Sequence, residues 1–237
     1  ASAGRDMSNA GLMEAGGRLD LLAGNTLSNR AGGVIAGHEV TLAARGDLLN
    51  ERTVTTHQSA SAYRAERSDF ADNAARIESA SALTLQAGRN INNVGGALSS
   101  GTDTTTQAVG DVNIVAAQTQ NSSVIGTRSR QASITQQGSV IQAGQDMKVT
   151  SGQDVNIAAS QLEAKRDVAV VATGNLNVVS AANEQHSAYN SKKVKSIEDH
   201  VQQVSSVLKA GGDANLSAGQ DLQLVASQVN AGNEAYL

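Results

Sequence analysis

Cysteine, proline and tryptophan are absent from this chain of 237 residues, and its aromatic side chains number only four, Tyr63, Phe70, Tyr189 and Tyr236. Without cysteine there are no disulfide crosslinks, which is unusual for a small secreted domain. A long chain that must pass unfolded through a pore is helped by the same absence. Without proline, nearly every residue is free to join a strand ladder or a tight turn. With so few rings, the core must be built from Val, Ile, Leu and Ala in thin layers, for which an apolar fraction of 40% suffices. The net charge of −4 leaves no global basic field for nucleic acid or an anionic membrane. No apolar run approaches the ~20 residues of a transmembrane helix. No signal peptide opens the chain, which starts and stops in mid-phrase and reads as a piece of something longer.

What is present is a phrase that keeps returning. Ala3-Gly4-Arg5-Asp6-Met7-Ser8-Asn9 is answered by Ala23-Gly24-Asn25-Thr26-Leu27-Ser28-Asn29 and by Ala44-Arg45-Gly46-Asp47-Leu48-Leu49-Asn50. The closing Asn falls at 9, 29 and 50, a period of about twenty residues that marks a solenoid. Later copies begin at Ala87, Ala143 and Ala218. Between them run short alternations such as Leu83-Thr84-Leu85, Val112-Asn113-Ile114 and Val155-Asn156-Ile157, which point one side chain in and the next out. Coils of about twenty residues with two or three short strands predict an all-β parallel β-helix. About eight coils at ~4.8 Å each make a rod on the order of 40 Å long.

Three excursions interrupt a single β-solenoid segment spanning residues 1–237, at roughly 51–76, 118–136 and 183–207. Leaving from equivalent corners, they project from one side of the rod about 10 Å apart. The first reads as an extended arm with a polar, partly aromatic tip. The second, Val124-Ile125-Gly126-Thr127-Arg128-Ser129-Arg130, reads as a hairpin with a glycine turn and a basic return strand. In the third, Ile197, Val201, Val204 and Leu208 share one helical face, and Ser196 with Asp199 resembles a capping box, so a short α-helix is expected there.

The chemistry-bearing residues mostly have structural explanations. Arg45-Gly46-Asp47 matches an integrin-binding tripeptide but occupies the repeating turn. The Gly-x-Asp turns lack the nine-residue tandem spacing of calcium-binding rolls. Asn9, Asn29 and Asn50 stack into a ladder when coils are in register. Of the four histidines, His57 and His186 fall in excursions and are expected to be solvated. Asp6, Asp47, Asp146, Asp154 and Asp221 are placed at equivalent turns, so no catalytic, cofactor or metal site is assigned. The basic clusters Arg128/Arg130 and Lys192/Lys193/Lys195 are read first as solvated charge that discourages edge pairing. As candidate partner contacts they are carried alongside Tyr63, Phe70 and Tyr189.

Residues Ala23 to Ala43 follow Ala-Gly-x-Asp-h-x-Asn and then x-Gly-Gly-x-h-x-Ala-Gly-x-x-h-x-h-x-Ala almost without deviation. This resembles the haemagglutinin repeats of filamentous haemagglutinin and of contact-dependent growth inhibition exoproteins. Interruptions such as Thr53-Val54-Thr55-Thr56-His57-Gln58-Ser59 look like the second, interrupted repeat region of those proteins. The resemblance implies a right-handed parallel β-helix within a filament on the surface of a Gram-negative bacterium. It implies export through the outer-membrane transporter of a two-partner secretion system, engaged by parts of the parent outside this segment. It further implies either carriage of a C-terminal toxin across a target cell's outer membrane or service as the shaft or adhesive surface of an adhesin. Delivery is placed ahead, because regular excursions are wasted on a spacer. A polysaccharide-degrading β-helix enzyme is the remote alternative.

Overall fold

The computed structural model describes residues 1–237. Every regular element is a strand and no helix is present. Each coil lays down three short strands, and strands of successive coils pair in parallel, giving a three-sided β-helix. Side one includes Arg76–Ser79, Ala97–Ser100 and Val140–Ala143. Side two includes Leu83–Ala87, Thr104–Ala108 and Met147–Ser151. Side three includes Leu48–Glu51, Ile91–Val94 and Val112–Val115. Near the start, the long strands Leu12–Ala23 and Val34–Ala44 each supply sides one and two together. Side three counts eight strands, one per coil, from Met7–Asn9 to Leu222–Val225.

Alternation sets the core. In Leu83–Ala87, Leu83, Leu85 and Ala87 are buried while Thr84 and Gln86 face outward. Stacking is in register, so Leu85 lies between Leu42 and Thr106. Truncating such a leucine to Ala costs about 2–5 kcal/mol. Outside side three, Asn92, Asn113, Asn156 and Asn177 form an amide ladder with steps of 2.8, 2.9 and 2.9 Å.

The corner from side three to side one is built in two ways. In the first four coils it holds Asn9, Asn29, Asn50 and Asn93, with successive side-chain amides bonded at 2.8, 2.9 and 2.8 Å. This is the expected ladder, extended to Asn93. From the fifth coil the same inward position is Ile114, then Ile157 and Val178, all buried. There the corner carbonyls are met by Ser139, Ser160 and Ser206 instead. Ser139 Oγ lies 2.7 Å from the Asn93 carbonyl and 2.8 Å from that of Val115.

The same corner also alternates from coil to coil. After Leu27–Asn29, Ile91–Val94, Val155–Ala158 and Leu222–Val225 the chain turns through a left-handed residue: Ala31 (φ 50°) with Gly32, Gly95 (58°), Ala159 (47°) and Ala226 (48°). After the intervening strands Leu48–Glu51, Val112–Val115 and Leu176–Val179 it runs out into an antiparallel hairpin. The hairpins pair Val54–Ala60 with Arg64–Ala71, Ala117–Ile125 with Ser129–Gln137, and Ala181–Asn190 with Lys195–Val204.

Hairpins leaving every second coil start two strand spacings apart, ~10 Å, and a hairpin is itself two strands wide. They therefore abut and pair with one another, Arg64–Ser68 with Asn121–Ile125 and Ser129–Ile134 with Glu184–Tyr189. The product is one six-stranded antiparallel sheet, a fin running along the rod. Its strands pack on each other rather than back onto the coils.

Two expectations about the excursions change. The first is a hairpin, not a lone extended arm. The third holds no helix: Lys195–Val204 pairs along its whole length with Ala181–Asn190. The four-residue step from Ile197 to Val201 is even, so it fits one face of a strand as well as one face of a helix. Leu208, the helix's fourth apolar residue, is instead fully buried in the side-one strand Val207–Ala210.

Candidate functional site

The fin is the part of the molecule that repeat packing does not consume. Two polar staples hold its hairpins together. Asp69, buried, accepts from Thr56 Oγ1 at 2.7 Å, from Arg67 Nε at 3.2 Å and from the Gln120 amide at 2.8 Å, while its own amide donates to Asn121 Oδ1. The Arg67 guanidinium, then the Thr56 hydroxyl, hold its carboxyl below the ordinary range. One hairpin along, Asn183 Oδ1 accepts the Gln136 amide at 2.7 Å.

His186 bridges the third hairpin. Its Nδ1 lies 2.8 Å from Asp199 and its Nε2 3.1 Å from Glu184, and these carboxylates, Asp199 first, raise its pKa. It is half-buried between acids rather than simply solvated. His57 is exposed and stacks edge-to-face on Phe70, with ring centres 5.4 Å apart. One face of the fin carries a polar trough of about 530 Å³, lined by Ser68, Asn121, Ser133 and Gln185 and flanked by Glu66 and His200.

Seven of the eight proposed contact residues gather at the hairpin tips. Tyr63, Arg128, Lys192 and Lys193 lie in the three turns, and Arg130, Tyr189 and Lys195 adjoin them. Two backbone bonds tie the tips into a line, Gly126 N to the Tyr63 carbonyl and Asn190 N to the Arg128 carbonyl, both 2.7 Å. Phe70 is the exception, set near the coil end of the first hairpin opposite Thr55. Sequence reading missed Arg64, Ile125 and Val194, which share the tip edge. Arg64 sits one row from Tyr63's turn and pairs with Glu66 at 3.1 Å. Only the cross-strand register, absent from any local motif, brings these residues together.

The aspartates occupy two columns rather than one. Asp6, Asp47, Asp154 and Asp221 precede side three, but Asp146 precedes side two, with Asp103, Asp167 and Asp213. In both columns a carboxylate accepts the backbone amide of the coil above, as Asp154 N to Asp111 and Asp167 N to Asp146. The Ala-Gly-x-Asp phrase closes two different corners, which is why sequence spacing merged them. Asp47 of the Arg-Gly-Asp tripeptide accepts from Asn90 N at 3.1 Å and pairs with Arg89 at 2.7 Å, so it is a turn acceptor.

Two family models match the chain. One, described as haemagglutinin repeat, covers residues 1–62 and 51–129. A second, also a hemagglutinin repeat, covers 125–197 and 187–237. The first hairpin lies within the first model's span and the third within the second's, so hairpins are not peculiar to either. No curated protein and no solved structure matches. The matched families are structural rather than enzymatic. With parallel coils throughout and haemagglutinin repeats from end to end, the chain belongs to the filamentous haemagglutinin-type repeat family, as a structural repeat segment of a secreted, cell-surface exoprotein.

Proposed function

We propose that the coils are a rigid scaffold and the fin a contact surface, acting when a parent exoprotein delivers a C-terminal toxin into a neighbouring bacterium. The observation that carries this reading is the continuity of the fin. A spacer needs coils alone, yet here three hairpins depart at matched corners, are stapled together and present their tips in one line. Export proceeds through an outer-membrane transporter of the two-partner type, with the chain unfolded and free of crosslinks. The coils then fold by stacking, each on the one before.

The test is made in the parent exoprotein. Residues 54–71, 117–137 and 181–204 are each replaced by a short Gly/Ser turn, and surface export, attachment and killing of neighbours are scored separately. Normal export and attachment with killing lost supports delivery. Killing at the original level overturns it. Loss of attachment and killing together, with export intact, identifies instead an adhesive surface of a filamentous adhesin.

A further inference from the structure

We propose that the tip edge of the fin docks on an anionic, phosphate-bearing lipid surface. The proposal rests on the fin being a contact surface and names what it contacts.

The net charge of −4 hides a segregation. Six of the 18 basic residues, Arg64, Arg128, Arg130, Lys192, Lys193 and Lys195, stand along one edge of one sheet. All six are exposed, and only Arg64 has a carboxylate partner. The nearest acids, Glu66 and Glu198, sit two rows back toward the coils, opposite Ser123 and Ser187. The tip row itself runs Arg64, Ile125, Ser129, Tyr189, Ser196 with no acid in it. Across six strands this line of charge is ~24 Å long.

The same edge exposes large apolar side chains. Tyr63 is 81% exposed, Val194 54%, Ile125 50% and Tyr189 49%. Other large apolar side chains are exposed too, such as Val109 on the coils and Ile197 in the third hairpin, but three of the four aromatic residues lie in the fin, and two of them at its tips. Solvated charge that merely guards a sheet edge would sit along the outer strands Val54–Ala60 and Lys195–Val204. Here it is concentrated at strand ends, across all three turns. Cations interleaved with tyrosine and aliphatic side chains on loop tips suit an interface where the ammonium and guanidinium groups meet phosphate and the apolar groups enter the headgroup boundary. Nucleic acid or a sulfated polysaccharide would use the charge and leave the apolar groups exposed.

The experiment uses the 237-residue chain and vesicles of phosphatidylcholine alone or mixed with phosphatidylglycerol. Because the chain lacks tryptophan, Tyr63→Trp gives a single reporter, and Tyr236→Trp gives a control outside the fin. The expected result is cosedimentation with the anionic vesicles only, with a blue shift of the Tyr63→Trp emission and none for Tyr236→Trp. Removing Arg128 and Arg130 together, or Lys192, Lys193 and Lys195 together, by substitution with Gln should weaken partitioning roughly fivefold per charge. Arg5→Gln with Lys165→Gln should leave it unchanged. Circular dichroism checks that every variant keeps its strands. Equal binding to both vesicles, insensitivity to the tip substitutions, or binding of heparin without binding of anionic vesicles overturns the proposal. If vesicle binding fails while replacing the hairpins still abolishes killing, the lipid identification is wrong and the contact reading stands.

Discussion

The first four coils and the last four solve one corner differently. Up to Asn93 an inward amide fills the space between sides three and one, and the residue opening side one is Gly11, Gly33, Ala75 or Gly96. A β-carbon on Gly33 would stand 2.5 Å from Asn29 Oδ1, and one on Gly96 2.5 Å from both Asn50 Nδ2 and Asn93 Oδ1. From Ile114 onward the inward residue is aliphatic, and a serine opens side one at 139, 160 and 206. The amide serves carbonyls that open side one, as at Gly33, Ala75 and Gly96, whereas the hydroxyl serves carbonyls that end side three, as at Asn93, Val115 and Val179. The exchange falls close to where one haemagglutinin-repeat model gives way to the other, around residues 125–129. Buried polar backbone must be satisfied in either half, but the partner can come from either side of the corner. The two positions therefore change together.

The sharpest way to break this comparison is Asn50→Leu. It leaves Asn93 Oδ1 without its donor, at about 1–3 kcal/mol, and reduces the Ala75 carbonyl to its single backbone bond from Ala97 N. A fall in the urea midpoint of the 237-residue chain measures it. Gly96→Ser alone overpacks the amides and costs about 1–3 kcal/mol. Combined with Asn93→Ile it moves the boundary one coil toward the N-terminus, into the arrangement already seen at Ile157 and Ser160. The pair should then couple favourably, by about 1–3 kcal/mol in a double-mutant cycle. Strict additivity would mean the two positions are independent.

A smaller effect is pH-dependent and local to the third hairpin. His186 has a raised pKa, so its bridge to Asp199 and Glu184 is fully present below the ordinary imidazole value of ~6.5 and is lost as pH rises through the higher folded value. Amide exchange across Glu184–Tyr189 should accelerate over that rise, and His186→Ala should remove the dependence. Smallest is Ala31→Gly, which relieves a left-handed alanine (φ 50°) and should raise stability by about 0.5–1 kcal/mol.

The coil was legible because stacking repeats the same residue types at a fixed interval. Asn9, Asn29 and Asn50 named the corner, and Leu83-Thr84-Leu85 the side opposite it. The serine column was harder to see. Its signal was present, since Ile114 and Ile157 replace Asn in the coils whose next strands follow Ser139 and Ser160. Residue identity changes there, and a search for repeated letters passes over it. The excursions break the repeat visibly in the sequence, but their union into one sheet leaves no such mark. Arg64–Ser68 meets Asn121–Ile125 across more than fifty residues of chain, through a match between hairpin width and coil pitch that no local pattern records. Likewise Ile197 and Val201 fit a helix or a strand equally, and the free edge of Ala181–Asn190 decided between them.

That match of pitch and width is the central claim, and one insertion tests it. A second copy of residues 140–160 placed after Ser160 adds a single coil between the second and third hairpins, separating them by ~4.8 Å more. Hydrogen exchange is then followed at Ser129–Ile134 and Glu184–Tyr189, the strands that join those hairpins. The account predicts lost protection along that seam, with the coil strands and the seam between the first two hairpins still protected. Protection unchanged at Glu184–Tyr189 would show that the hairpins find each other without the coils, and would contradict it.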